Sequence, residues 1–153
     1  EKAYNLMLPL FEVMGKKSVL CGPASSGQAA KACNNMLLAT TMIGVGEAFN
    51  LGENLGLDLK KLFDVLSTST GNCWAINTYC PIEGVGPNSP ADNNFQPGFS
   101  VNLMLKDLTI ALKAIKDTNT LAPFGTKSQE NFKRMVDDKK GELDFSAIVN
   151  FNK

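Results

Sequence analysis

Apolar positions recur at helical spacing through most of the chain. Leu6, Leu10, Val13 and Met14 predict a first helix over residues 2–14, ended by Gly15. Residues 18–21, Ser-Val-Leu-Cys, read as a short strand, and the G-P-A-S-S-G after them as a turn. Ser25 and Gln28 have the S-x-x-Q spacing of a capping box, in which each side chain satisfies a backbone donor at a helix start. The helical pattern then runs to about residue 54, with Gly56 as its stop. Some 29 residues at about 1.5 Å each would make a helix of about 43 Å, long enough to be the spine of an all-helical domain.

Asp58 is placed to cap a helix over residues 59–67 that turns Leu62, Phe63 and Leu66 inward. A short helix through Cys73, Trp74 and Ile76 should end before Pro81, with Trp74 anchoring helix packing. Residues 81–98 hold Pro81, Pro87, Pro90, Pro97, Gly84 and Gly86, and predict a long irregular loop. Ser100 can cap a helix to about residue 117, with Val101, Met104, Leu105, Leu108, Ala111, Leu112 and Ile115 on one face. Another helix is expected at 124–138, and Asp144 can cap a last short one through Ile148.

Composition narrows what such a bundle can be. With 153 residues, 44% of them hydrophobic, the chain can bury one core, and disorder is excluded. Its 15 basic and 15 acidic residues cancel, and Arg134 is the lone arginine, so no nucleic-acid partner is expected. No apolar run reaches about 18 residues, so no membrane span is expected. Histidine is absent, which removes Ser-His-Asp triads, Cys-His dyads and imidazole zinc sites. Cys21, Cys33, Cys73 and Cys80 form no C-x-x-C pair; they read as free, buried, metal-free thiols in a reducing compartment. The chain begins E-K-A-Y without Met or signal peptide, as an internal piece of a longer polypeptide would.

Two stretches invite a chemical reading. L-L-A-T-T-M-I-G-V-G-E-A-F imitates a strand leading into a dinucleotide loop, but Phe49 stands where the third glycine belongs. Gly44 and Gly46 are better read as points where another helix packs closely. In G-Q-A-A-K-A-C-N-N, Gly27, Lys31 and Asn35 stack at i, i+4 and i+8 on one helix face. The small neighbours Ala29, Ala30 and Ala32 leave Lys31 uncrowded. Gly27 leaves room for a ligand above the ammonium, and Asn35 adds a donor and an acceptor below it. This trio suits binding and protonating an oxygen of a small substrate. On spacing alone, an exposed helical lysine is usually no more than solvated.

G-P-A-S-S-G-Q-A-A-K-A-C-N-N resembles the catalytic-helix signature of the β-hydroxyacid dehydrogenases. The likeness extends through L-F-E-V-M-G-K-K, S-T-G-N-C-W, T-Y-C-P-I-E-G-V, F-Q-P-G-F-S-V-N-L-M-L-K-D-L and D-F-S-A. The resemblance implies a two-domain oxidoreductase, with residues 1–21 the tail of an N-terminal dinucleotide-binding domain. Residues 22–153 would then be a helical catalytic and oligomerisation domain, like the C-terminal domain of 6-phosphogluconate dehydrogenase. Lys31 would be the catalytic lysine, Gly27 and Asn35 substrate contacts, and Lys106, Phe99 and Asp107 cofactor contacts. The cofactor would be NAD, with NADP open, and the substrate a small hydroxy acid of valine breakdown.

The resemblance also implies a homodimer or homotetramer, in bacterial cytoplasm or the mitochondrial matrix. The chain alone would be inactive. A sister enzyme reducing a semialdehyde or glyoxylate, and a non-catalytic helical interaction module, stay open as alternatives. One departure stands out. The family usually has glycine where this chain has Ser25, which makes close approach of substrate to that backbone less secure.

Overall fold

The computed structural model describes residues 1–151 and contains no strand among them. Seven α-helices follow in order: α1 (Lys2–Met14), α2 (Ser26–Asn54), α3 (Leu59–Thr68), α4 (Trp74–Asn77), α5 (Val101–Asp117), α6 (Pro123–Asp137) and α7 (Ile148–Phe151). Short 3₁₀ turns occupy Pro90–Asn93 and Phe145–Ala147. The spine α2, 29 residues long, packs against α5, α6 and α7. It buries Ala39, Met42, Ile43, Val45 and Phe49 against Val101, Met104 and Leu108 of α5 and Phe132 and Met135 of α6. Losing a buried ring such as Phe49 or Phe132 would cost about 3–5 kcal/mol. Gly46 lets α7 come close: a Cβ there would stand 3.2 Å from the Val149 Cα.

The expected caps form where a carboxylate or hydroxyl meets a helix start. Asp58 accepts from the N–H groups of Lys60 and Lys61, Ser100 from Leu103, and Asp144 from Ser146. Ser25 does not cap. It stands in the left-handed region at φ 78°, and its side chain makes no capping bond to α2. Residues 18–21 form no strand, because no described segment pairs with them.

Residues 81–98 are less irregular than their prolines suggest. Ser89 and Asp92 form a capping box around the 3₁₀ turn. The two oxygens of Asp92 accept from the Gly84 and Ser89 N–H groups at 2.7 and 2.8 Å. Three other expectations change. Gly44 faces open space, with no atom within 4 Å of where a Cβ would stand. Trp74 is half exposed and stacks on Tyr79, ring centroids 4.9 Å apart. All four thiols are free, yet only Cys80 is buried, and that burial pushes its thiol up from the ordinary range.

Candidate active site

Lys31 and Asn35 lie one turn apart on α2, and both turn toward Asp107 of the crossing helix α5. The Asn35 amide donates to Asp107 Oδ2 at 2.6 Å, and Lys31 Nζ lies 3.4 Å from the same oxygen. Lys106 Nζ approaches Oδ1 at 3.5 Å. The carboxylate is 4% exposed while both lysine side chains are more than half exposed. One buried negative charge thus anchors two ammonium groups whose outer sides face solvent. Asn35 is itself buried, and its Oδ1 accepts from Asn34 Nδ2 at 3.0 Å. Asn35 therefore sets the carboxylate as much as it offers itself to a ligand.

The local reason is a charge on an apolar face. Met104, Leu108 and Ala111 of α5 are buried, and Asp107 falls among them at i+3 from Met104 and i+4 before Ala111. Such a residue must find donors in the opposing helix, and α2 supplies them. Gln28, Lys31, Ala32, Asp107 and Ile110 enclose a pocket of about 20 Å³, room for roughly one water. Gly27, a turn above Lys31, opens to solvent with no atom within 4 Å of a would-be Cβ.

Of the residues singled out in the sequence, Lys31, Asn35, Lys106 and Asp107 come together, with Gly27 beside them on the α2 face. Phe99 is tied elsewhere. Its N–H donates to Asp144 Oδ2 at 3.0 Å, and its ring meets Phe145 edge-on at 5.9 Å. Sequence reasoning took Asp144 for a simple cap. It is fully buried and also accepts from the Tyr79 hydroxyl and the Gly98 N–H, at 2.9 and 3.0 Å. Burial first, then the Asp144 charge and hydrogen bond, raise the Tyr79 phenol well above its usual range. Among the described residues no cluster of His, Cys, Asp or Glu is built to hold a metal, and no helix is long and apolar enough to cross a membrane.

This helical domain, a long spine helix crossed by α5, is that of a β-hydroxyacid dehydrogenase. A family model described as the NAD-binding of NADP-dependent 3-hydroxyisobutyrate dehydrogenase matches residues 25–152, and the chain belongs to that family. It is 48% identical to the "Probable 3-hydroxyisobutyrate dehydrogenase" of Mycobacterium tuberculosis, over 92% of this chain and 48% of that protein. It is 43% identical to the mitochondrial 3-hydroxyisobutyrate dehydrogenase of Homo sapiens, over 93% of this chain and 42% of that one. A solved structure of the Mycobacterium tuberculosis 3-hydroxyisobutyrate dehydrogenase with L-serine superposes at a TM-score of 0.95 and 45% identity. It covers 100% of this chain and 52% of its own. The 3-hydroxyisobutyrate dehydrogenase of Salmonella typhimurium shares the fold at a TM-score of 0.83 and 20% identity, over 98% of this chain and 50% of its own. The chain spans about half the length of the curated relatives it matches.

Proposed function

We propose that this chain is the helical, proton-handling part of a nicotinamide-dependent oxidoreductase that oxidises 3-hydroxyisobutyrate to methylmalonate semialdehyde in valine degradation. One observation carries the reading: an exposed lysine at the motif position, held by a buried carboxylate, on a face left open by Gly27. The relative solved with L-serine, itself a small 3-hydroxy acid, supports that substrate class.

The two ammonium groups and the open helix face beside them offer hydrogen-bond donors to a small hydroxy acid and to the reactive end of a dinucleotide held mainly by another unit. When bound, the nicotinamide supplies the redox chemistry by taking the hydride from the hydroxyl-bearing carbon. Lys31 in its neutral form accepts the hydroxyl proton during oxidation and, as the ammonium, returns it during reduction. Asp107 keeps Nζ in place between turnovers, and Asn35 orients Asp107. Lys106, tethered to the other carboxylate oxygen, is the side chain that reaches the cofactor. NAD is the proposed cofactor; NADP, which the family model's description carries, is decided by contacts to the ribose 2′ position.

Residues 1–21 are proposed as the tail of the dinucleotide-binding unit. Their support is the bare apolar side of α1, which buries no residue in the helical domain. The test is Lys31→Ala in the polypeptide that carries both units. Its kcat should fall about 10²-fold or more with cofactor affinity little changed. Near-normal kcat would remove Lys31 from the mechanism.

A further inference from the structure

Between α2 and α6 a buried amide is left without a partner. The two helices meet at matched levels. A Cβ added at Gly125 would stand 2.6 Å from the Met36 sulfur, and the Ser128 and Thr40 hydroxyl oxygens lie 3.0 Å apart. From one contact to the next is four residues on α2 and three on α6, so a further step sets Asn131 opposite Gly44. Glycine presents no side chain there, and nothing lies within 4 Å of where its Cβ would stand. Asn131 is 7% exposed, yet its side chain has no hydrogen bond among the described residues. No fully enclosed side-chain nitrogen or oxygen among them lacks a partner. The Asn131 amide is therefore reached through the opening that Gly44 leaves. Leaving such an amide unbonded is destabilising, and a ligand that bonds it recovers that loss.

The opening is a pocket of about 400 Å³, with Ile43, Gly44 and Glu47 on the α2 side and Phe124, Lys127 and Asn131 on the α6 side. That volume is in the range of small-molecule sites. The Thr40 and Ser128 hydroxyls beside it are spent on each other and on the carbonyls of Met36 and Phe124. Lys127 is spent on Glu130, at 3.0 Å. What the pocket still offers is acceptors. Glu47 is exposed and in no ion pair among the described residues, so its charge stands uncompensated. The Asn131 carbonyl oxygen is free, and the Phe124 ring is 75% exposed. A carboxylate, an amide oxygen and an aromatic face together suit a cation that carries several N–H donors. We propose that this pocket binds a small protonated primary amine. Its ammonium lies between Glu47 and Asn131 Oδ1, and its short alkyl chain lies against Ile43 and Phe124. A bare metal ion would find a single free carboxylate and leave the apolar walls unused. Gly44 lies about 20 Å along α2 from Lys31, so the inference stands apart from the enzymatic reading.

Butylammonium chloride, titrated into the ¹⁵N-labelled chain at constant ionic strength, is the probe. The Asn131 side-chain amide and Gly44 backbone NMR signals should move together and saturate with a Kd on the order of millimolar, as suits so small a ligand. Butan-1-ol and butyrate carry the same chain without the ammonium, and should leave both signals in place. Glu47→Gln, at an exposed position, should weaken butylammonium binding about tenfold. Asn131→Leu keeps nearly the same volume and should abolish binding, read at the Gly44 signal, with helicity retained. Gly44→Leu fills the pocket from an open position and should abolish it too, read at the Asn131 amide, which keeps the test decisive if Asn131→Leu unfolds. Absence of movement at tens of millimolar butylammonium would overturn the proposal. So would equal movement with butan-1-ol, or unchanged affinity in Glu47→Gln.

Discussion

At Ser25 the backbone asks for a residue the chain does not have. Its φ of 78° is the left-handed conformation that glycine adopts freely and other residues adopt at a cost. Its side chain makes no compensating bond to the α2 start. Ser25→Gly is therefore expected to stabilise the fold by about 0.5–1 kcal/mol, net of glycine's greater freedom when unfolded. Thermal denaturation would register this as a Tm about 2 °C higher. A lower Tm would mean the side chain makes a compensating contact. The S-x-x-Q spacing pointed to a cap because spacing carries no dihedral angle.

Between elements, the buried carboxylate of Asp144 ties three segments together. Tyr79 from the stretch after α4, the Gly98–Phe99 backbone ahead of α5, and Ser146 before α7 all donate to it. The Tyr79 phenol is raised by burial and by this charge, so the folded state favours the neutral, donating form. Its contribution is full below the unfolded tyrosine value near about 10 and is lost as pH rises toward the higher folded value. Tyr79→Phe should thus flatten the loss of stability above about pH 10, as denaturant midpoints across alkaline pH would reveal. An equal alkaline decline in both proteins would show that Tyr79 is not its source.

The sequence displayed the local half of this level well. The carboxylates of Asp58 and Asp144 and the hydroxyl of Ser100 mark helix starts, and periodicity marks inner faces. What it hid is tertiary. That Asp107 is buried depends on α2 crossing α5, 72 positions away along the chain. A charge lying on the apolar face with Met104, Leu108 and Ala111 was the available signal. Gly44 and Gly46 look alike in the sequence, and only the path of α7 makes one a contact and the other a gap.

Across the whole molecule, stability is uneven. α1 buries no residue, and Leu6 and Val13 are 81% and 86% exposed. A side-chain bond, Tyr4 to Ser18 at 2.8 Å, folds the end of the segment back on itself rather than onto the bundle. A helix so placed opens locally at little cost, whereas α2, α5 and α6 share the core. Limited trypsin should therefore cut first at the exposed Lys16 and Lys17, and the remaining helical body should keep its Tm. The same division governs cofactor binding. A pyrophosphate is held by a glycine-rich turn between a strand and a helix N-terminus. No such turn exists among the described residues; Lys106 and Lys31 offer charge around a pocket of only about 20 Å³. Titration calorimetry of this chain with NAD should thus show no binding at micromolar concentrations, and the chain alone should not oxidise 3-hydroxyisobutyrate. Tight binding would move the principal dinucleotide contacts onto α2 and α5 themselves.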